Sequence, residues 1–362
     1  MASTTESMAP PNLQTGPIAW VRERLFSSPL NAILTILSIW LLAATIPPII
    51  EWGLIQAHFT AATSAECRGQ PGACWAFIGE KYRLIFFGLY PYAEQWRPLI
   101  AGLILIGMII VSCMPSFWKP RLLVIWIVGL VAVGVLMWGG ILGLRFVEDT
   151  LWGGLPLTLI LATFGIAIAF PFGLILAMGR RSKMPAIKTL CIMYIELIRG
   201  VPLISMLFMS SVMLPLFLPE GFSIDKLLRA QIAIIMFAAA YIAEVVRGGL
   251  QAIPKGQYEG ADSLGLSYGQ KMGLVVLPQA LKVVIPPMVG LFIAAFKDTS
   301  LVVIIGIYDL MQSTKVSLTD PAWRGFSIEA YVFIAFIYFI FCFSMSKYSK
   351  ALEDRLATGH KR

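Results

Sequence analysis

One short stretch of the sequence has the residues of a catalytic nucleophile motif. Residues 265–269 read GLSYG, which fits the G-x-S-x-G pattern that presents a reactive serine in many hydrolases. That chemistry needs a strand–turn–helix setting and a histidine base, and neither accompanies Ser267. Ser267 and Gln270 instead have the S-x-x-Q spacing of a capping box, which predicts that a helix begins here.

The sequence offers little else to covalent or metal chemistry. It contains no G-x-x-x-x-G-K-[ST], no C-x-x-C and no H-E-x-x-H. The first absence excludes nucleotide binding through a phosphate loop, and the others leave no spacing typical of a metal site. The two histidines are His58, in a polar segment, and His360, at the C-terminal end. We therefore predict no catalytic residue, no metal and no cofactor in this chain.

Ionisable residues inside long apolar runs are the remaining candidates for function. Glu196 and Arg199 are three residues apart, so a helix can place them on the same side. The same E-x-x-R-G spacing recurs at Glu244 and Arg247, and residues 297–300 read KDTS. Charged groups in lipid are costly and therefore indicate functional sites. The alternative is that each Glu–Arg pair neutralises itself within its own helix.

The composition predicts that these residues lie in membrane-spanning helices. Of 362 residues, 58% are hydrophobic and 13% are charged, whereas soluble domains are about 45–50% apolar and about 25% charged. A helix needs about 20 apolar residues to cross a bilayer, and continuous rather than alternating runs favour helices over a barrel. We predict an all-α polytopic membrane protein with about eight spans. The predicted spans are 31–50, 98–115, 122–143, 156–178, 189–217, 231–249, 283–308 and 328–346.

The distribution of basic residues predicts the orientation of the spans. The net charge is +8, but the basic residues occur in short clusters between apolar runs, which argues against nucleic-acid binding. More of them fall on the side that holds both termini, so both termini are expected in the cytoplasm. The predicted organisation is a cytoplasmic tail (1–30), a three-helix extension (31–150) with a periplasmic loop (51–97), a five-span core (151–350) and a second cytoplasmic tail (351–362).

Two features of this scheme leave alternatives open. Cys67 and Cys74 share the outer loop and can form a disulfide if that loop faces the periplasm, but two free thiols are the alternative. Pro202 and the pair Pro286–Pro287 interrupt two spans. Such prolines either open a helix to line a binding site or produce a packing kink.

The segment at 248–282 is longer than a connection between two spans requires. Acidic residues early in a short helix, followed by Gly265 as its C-terminal cap, predict one helix before Gly265 and another after Ser267. Gly260 and Ala261 would allow a partner to approach closely, and Tyr258 and Leu264 would supply apolar anchors. An ordinary amphipathic surface loop is the alternative.

Residues 257–267 read QYEGADSLGLS and residues 275–280 read VVLPQA, which together resemble the EAA loop of bacterial ABC-importer permeases. The positions in register are Glu259, Ala261, Gly265, Leu277 and Pro278. Gly260 replaces the first alanine of that pattern. Residues 196–203 (ELIRGVPL), 240–249 (AYIAEVVRGG) and 297–301 (KDTSL) resemble the polar amino-acid branch of the same family. The resemblance covers about residues 151–350, and the three-span extension resembles one membrane subunit of broad-range L-amino-acid uptake systems.

This resemblance implies a binding-protein-dependent inner-membrane component with a five-helix type I permease core. A cytoplasmic ATPase, which would hold ATP and Mg, is expected to dock near Glu259 and drive alternating access. The other implied partners are a second permease subunit or a second copy, a periplasmic binding protein and an L-amino acid. An ion-coupled secondary transporter is the alternative, but the internal repeat typical of that class is not found.

An amino-acid substrate requires groups for both an ammonium and a carboxylate. Glu196 or Asp298 would meet the ammonium, and Arg199 or Lys297 the carboxylate. Thr299 and Ser300 extend the polar stretch next to Asp298, so that at least one of these residues is expected to face a wet cavity or a subunit seam.

Overall fold

Continuous apolar runs form helices along almost the whole chain, because a helix satisfies every backbone polar group without water. The computed structural model describes residues 16–219, 221 and 223–357. The α-helices are α1 (Pro17–Leu25), α2 (Pro29–Ile50), α3 (Ser64–Cys67), α4 (Ala76–Phe87), α5 (Trp96–Ser112), α6 (Arg121–Trp138), α7 (Gly154–Arg180), α8 (Pro185–Gly200), α9 (Leu203–Phe208), α10 (Lys226–Ala252), α11 (Lys255–Ser263), α12 (Tyr268–Gln270), α13 (Leu277–Asp298), α14 (Leu310–Ser317) and α15 (Ser327–Ala357).

Shorter elements extend or join these helices. The strand β1 (Tyr308–Asp309) pairs with residues 153–154. The π-helical segments are Glu51–Ile55, Met209–Met213 and Lys271–Val276, and the 3-10 helices are Tyr92–Glu94, Pro115–Phe117, Asp149–Leu151, Leu214–Phe217, Thr299–Ile305 and Pro321–Trp323.

Seven helical segments of the described chain are long and apolar enough to cross a membrane, and a bent pair brings the number to eight. The predicted all-α membrane fold is therefore confirmed. The predicted span over 189–217 is interrupted at Pro202, as the sequence indicated, and α8 and the segment that begins with α9 meet at an angle of 101°. Pro202 lacks a backbone donor and forces Val201 into an extended conformation, which ends α8.

Several predicted span boundaries move. The third span ends at Trp138 instead of residue 143, because the chain leaves the helical conformation at Gly139. The seventh span runs from Tyr268 to Ile305, so the segment outside the spans shrinks from 248–282 to α11 and its flanking turns. Pro286 and Pro287 lie inside α13, which continues past them to Asp298.

The terminal segments are more ordered than predicted. The predicted tail over 1–30 contains α1 and the start of α2, and residues 1–15 lie outside the described part. At the other end α15 continues to Ala357, so only 358–362 of the predicted tail lie outside the described residues.

Contacts divide the chain after Ala76 rather than at residue 150. The first unit contains α2, whose apolar surface is not covered by other residues of the chain, and a folded segment that follows α2 in the sequence. In that segment Trp75 Nε1 donates to the Gly53 carbonyl at 2.7 Å, and Cys67 and Cys74 form a disulfide with Cα atoms 5.8 Å apart. The predicted loop at 51–97 is thus largely structured.

The second unit begins at Phe77 and holds the other spans. Its apolar interior joins α5 and α6 to α7 and α10, with Trp138 and Trp152 rings 4.7 Å apart. The contacts show no division at the predicted boundary, residue 150, because α5 and α6 share one core with the helices that follow. A second apolar cluster lies between α7, α8, α10 and α13.

Helix α4 is attached to the later helices of this unit. Lys81 Nζ lies 2.6 Å from Asp320 Oδ2, and the Phe77 ring packs against Trp323 and Phe326. Just after α4, the backbone at Gly88 crosses that at Gly153 so closely that a Cβ atom on Gly88 would lie 2.6 Å from the Gly153 Cα atom. Only glycine permits this contact between the two backbones.

Candidate functional site

Helix α11 is a short element bounded by strong local signals. Gly265, at φ +70°, ends it: the Gly265 N–H donates to the Asp262 carbonyl at 3.0 Å and the Leu266 N–H to the Ala261 carbonyl at 3.2 Å. Ser267 then begins the next helix with the predicted capping box, in which the Ser267 N–H donates to Gln270 Oε1 at 2.9 Å. Ser267 is therefore a capping residue, as predicted.

The outer surface of α11 is formed by Glu259, Gly260, Ser263 and Leu264, the last with 79% of its surface exposed. Two of the residues predicted to face a partner point the other way. Ala261 is only 3% exposed, and Tyr258 is half-buried against the helices of its own chain. The prediction is corrected accordingly: Ala261 and Tyr258 pack against their own chain, and Leu264 is the apolar residue that remains exposed.

A hydrogen-bonded triangle joins α11 to the ends of two spans. Arg181, directly after α7, donates from Nη1 to the Tyr258 hydroxyl at 3.0 Å and to the Leu250 carbonyl at 3.1 Å. The Tyr258 hydroxyl donates to the same carbonyl, on α10, at 3.0 Å. Because these bonds cross three elements, a displacement of α11 acts directly on α7 and α10.

The L-P part of the predicted loop motif lies at the start of α13. Leu277 packs in the second apolar cluster, and Pro278 lies where the π-helical segment Lys271–Val276 passes into α13, so its missing N–H removes one bond from a continuous helix. Gln279 Nε2 donates to Gln257 Oε1 at 2.9 Å. This bond connects α13 to α11 in addition to the triangle around Tyr258.

Five charged side chains meet close to that triangle, in what we call the arginine cluster: Arg180, Glu196, Arg199, Glu244 and Arg247. Glu244 is its centre, with Oε2 at 3.3 Å from Arg180 Nη1 and 3.7 Å from Arg199 Nη1. Arg247 Nε donates to Glu244 Oε1 at 2.9 Å. The cluster thus holds three arginines and two glutamates from α7, α8 and α10.

The predicted pairing within this cluster is half right. Glu244 and Arg247 form the intrahelical ion pair of the alternative interpretation. Glu196 does not pair with Arg199, because Arg180 of α7 reaches it at 2.8 Å and Arg199 turns towards Glu244 and the Tyr241 ring. Arg180 was not among the predicted site residues. Its position at the very end of α7 is the signal that could have indicated it.

The composition of the cluster suits the binding of an anion. Its formal charge is +1, and the Arg199 Nε atom is buried without a hydrogen-bond partner. A guanidinium group with a free donor binds a carboxylate through directed, charge-assisted hydrogen bonds. The cluster therefore carries one excess positive charge and one buried donor without a partner.

The polar run 297–300 lies at the junction of α13 with a 3-10 helix. Thr299 is buried and donates to the Phe296 carbonyl at 2.7 Å, while Ser300 donates to the Lys297 carbonyl at 2.8 Å. Lys297 is exposed and Asp298 is half-buried. Within the described residues, no hydrogen bond or ion pair connects this run to the arginine cluster. The structure thus shows no direct bond between the two predicted halves of the substrate site.

The part of the chain that the structure describes contains no candidate metal site. No three His, Cys, Asp or Glu side chains there are grouped so that they could hold a metal ion.

Comparison with known proteins decides the family. The family model "Binding-protein-dependent transport system inner membrane component" matches residues 169–358. The chain belongs to this family. The predicted resemblance to ABC-importer permeases is thereby confirmed, and the chain is a multi-pass membrane component of a transport system.

Individual proteins similar to this chain are also transport permeases. It is 54% identical over 348 residues to the inner membrane amino-acid ABC transporter permease protein YhdY of Escherichia coli K12, covering 94% of each chain. It is 38% identical to the glutamate/glutamine/aspartate/asparagine transport system permease protein BztC of Rhodobacter capsulatus, covering 99% of this chain and 98% of that one. A crystal structure of an amino acid ABC transporter with histidines is 34% identical, with a TM-score of 0.51, over 56% of this chain and 92% of that chain.

Proposed function

We propose that this inner-membrane component is the translocation subunit of an ATP-driven importer of polar L-amino acids. The single observation that carries the proposal is α11, a short exposed helix outside the spans and hydrogen-bonded to two of them through Tyr258. The amino-acid substrate is inferred from the names of YhdY and BztC. An ion-coupled mechanism finds no support in the family match.

In this proposal the chain performs mechanical work and no covalent chemistry. A partner ATPase binds ATP and Mg, contacts Glu259, Gly260 and Leu264, and moves α11 as its nucleotide sites close. The Arg181–Tyr258–Leu250 triangle passes that movement to α7 and α10. Arg180 is the neighbour of Arg181 in the chain, so the same movement reaches the arginine cluster and supports alternating access.

The remaining partners follow from the topology that the basic residues favour. With both termini in the cytoplasm, α11 faces the ATPase, and the disulfide-bonded segment around Cys67 and Cys74 faces the periplasm. A periplasmic binding protein delivers the amino acid on that side. A second permease subunit, or a second copy of this chain, completes the pathway.

The substrate contacts are proposed from the unpaired hydrogen-bond donors and charges of the arginine cluster and of the run 297–300. Arg199 retains a buried unpaired Nε atom and is assigned the carboxylate, with Lys297 as its alternative. Asp298 makes no ion pair with another described residue and is assigned the ammonium. Glu196 is already bound to Arg180 and ranks below Asp298. Thr299 and Ser300 line the same stretch.

Purification with the ATPase and reconstitution into vesicles tests the coupling role. Amino acid and binding protein should stimulate ATP hydrolysis and uptake, and Glu259→Lys should abolish both by reversing the charge on α11. Glu353→Lys, an equally exposed glutamate near the end of α15, is the matched control and should remain active. Uptake that persists with an inactivated ATPase and follows an ion gradient would refute the proposal.

A second comparison tests the substrate contacts. Arg199→Ala and Asp298→Ala should each lower uptake while ATPase association is kept, because neither residue lies on α11. If both variants transport normally, the substrate contacts are wrong even where the coupling role holds.

A further inference from the structure

A lipid-facing groove lies at one end of the seam between α4, α5 and α7. Its volume is about 510 Å³, within the range of about 300–1,000 Å³ typical of small-molecule sites. The groove is lined mainly by apolar side chains, and it touches none of the residues assigned to coupling or transport. Representative lining residues are Phe86, Leu99, Leu103, Ile106, Leu155 and Leu159.

The floor of the groove forms where α5 and α7 approach each other. Gly102 of α5 has no side chain, so the ring of Pro156 and the side chain of Leu159 on α7 line the groove directly. A Cβ atom on Gly102 would lie 3.8 Å from Pro156 Cγ and 4.0 Å from Leu159 Cδ1. The floor is thus apolar and lies where two spans pack closely against each other.

The mouth of the groove carries a cation. Arg83 of α4 donates from Nε to Gln95 Oε1 at 2.8 Å and stacks on the Tyr92 ring, with Cζ 3.4 Å from the ring centroid. The nearby carboxylate of Glu94 is engaged by Arg97 at 3.6 Å, and no ion pair neutralises Arg83 among the described residues. Both contacts fix the guanidinium plane and leave its terminal nitrogens available.

The position of the mouth matches a membrane boundary. Arg83 precedes the candidate span Tyr92–Ser112, Gln95 lies in the first turn of that span, and α7 starts its span at the same end of the groove. Tyr82 and Trp96 flank the mouth and are both partly exposed. Tyrosine and tryptophan are enriched where a protein passes from hydrocarbon to headgroups.

We infer that this groove is a binding site for one anionic phospholipid. The acyl chain lies along the apolar floor between α5 and α7, and the phosphate is bound by Arg83. A planar guanidinium group fits phosphate oxygens with paired hydrogen bonds, and the unneutralised charge favours an anionic over a zwitterionic headgroup. The bound lipid would join α4 to the spans that it flanks.

Native mass spectrometry of the full-length protein, purified in mild detergent, tests the site. After brief incubation with phosphatidylglycerol the wild type should retain one lipid, and Arg83→Gln should lose it. Leu103→Trp replaces an exposed leucine of the groove with a bulky indole ring, and this variant should also lose the lipid. Arg121→Gln removes an exposed arginine at the start of α6, away from the groove, and should retain the lipid.

Two results would overturn the inference. Retention that is the same in Arg83→Gln and in the wild type would show that Arg83 does not bind the headgroup. Equal retention of phosphatidylcholine and phosphatidylglycerol by the wild type would show that headgroup charge is not recognised. Thermal unfolding of each variant without added lipid identifies any variant that fails to fold. Arg83→Gln tests the headgroup contact and Leu103→Trp tests the apolar groove, so one result stands if the other variant does not fold.

Discussion

Arg181, at the end of α7, donates a hydrogen bond of 3.0 Å to the hydroxyl of Tyr258 on α11. The hydroxyl in turn donates to the carbonyl of Leu250 on α10. The contact puts a single oxygen atom at the point where the proposed ATPase-docking helix meets two spans. Its importance can therefore be measured by removing that atom alone.

Tyr258→Phe should uncouple ATP hydrolysis from uptake while leaving the fold intact. The lost hydrogen bonds cost about 1 kcal/mol each in stability, whereas coupling free energies of about 1–3 kcal/mol correspond to about 5–150-fold effects. We expect amino-acid uptake in vesicles to fall at least about fivefold. Tyr268→Phe, an exposed tyrosine on α12, is the control. Unchanged uptake in Tyr258→Phe would remove the triangle from the transmission route.

Gly260→Ala should stabilise α11 without changing transport. A Cβ atom at Gly260 meets no other atom within 4 Å, and alanine is about 1 kcal/mol more favourable than glycine inside a helix. Hydrogen exchange of the α11 amides should slow in the variant. Ala261→Gly, at the buried neighbouring position, should accelerate it. Loss of the ATPase from Gly260→Ala would instead mean that the contact at Gly260 is too close to admit a methyl group.

Glu244→Gln should destabilise the protein more than Glu196→Gln. Glu244 pairs with Arg180, Arg199 and Arg247, so its loss leaves three arginines with one remaining carboxylate. We expect a loss of about 1–3 kcal/mol, seen as a lower unfolding temperature in detergent. Glu196 pairs with one arginine and is 55% exposed, so its loss should cost about 0–1 kcal/mol. The reverse order would contradict the central position of Glu244.

Arg97→Met should weaken the packing of α5 on α6. Arg97 is fully buried and donates to the Leu136 carbonyl at 2.7 Å and the Arg145 carbonyl at 2.8 Å. Each hydrogen bond donated by the charged guanidinium group contributes about 1.5–3 kcal/mol. The unfolding temperature should fall clearly in Arg97→Met and stay near the wild-type value in Arg145→Ala, because Arg145 contributes only its backbone and its side chain is exposed. Equal effects would refute this assignment.

Asp149 should make stability depend on pH. Burial and the neighbouring Asp225 carboxyl raise the pKa of Asp149 to about 6. A carboxyl group whose pKa is raised on folding stabilises the folded state while it is protonated, so stability should fall as pH rises from about 4 to about 7. Asp149→Asn should flatten this part of the unfolding-temperature profile. A profile identical to that of the wild type would exclude Asp149 as the cause.

The helices and their caps could be predicted because their signals are local. The length of each apolar run located the spans, Gly265 and Ser267 marked the two ends of a turn, and the capping box formed as predicted. Pro202 indicated a break in the fifth span. Its size, 101°, depends on packing with other helices and has no local signal.

The arginine cluster could not be predicted in full because its members come from three helices. Glu196 and Arg199 have the spacing of a pair, but Arg180 competes successfully for Glu196 once α7 and α8 are adjacent. Arg97 resembled an ordinary charge in a loop, and only the tertiary structure shows that it is buried. The inward direction of Tyr258 likewise depends on where α7 ends.

The crossing of Gly88 over Gly153 limits how this protein can be shortened or recombined. At this crossing the two backbones touch with no side chain between them. Removing the residues before about 150 would therefore expose the backbone at the start of α7, with no side chain to cover it. Residues 77–150 are therefore an inseparable part of the transport unit, and exchanging cores between related subunits should carry this segment along.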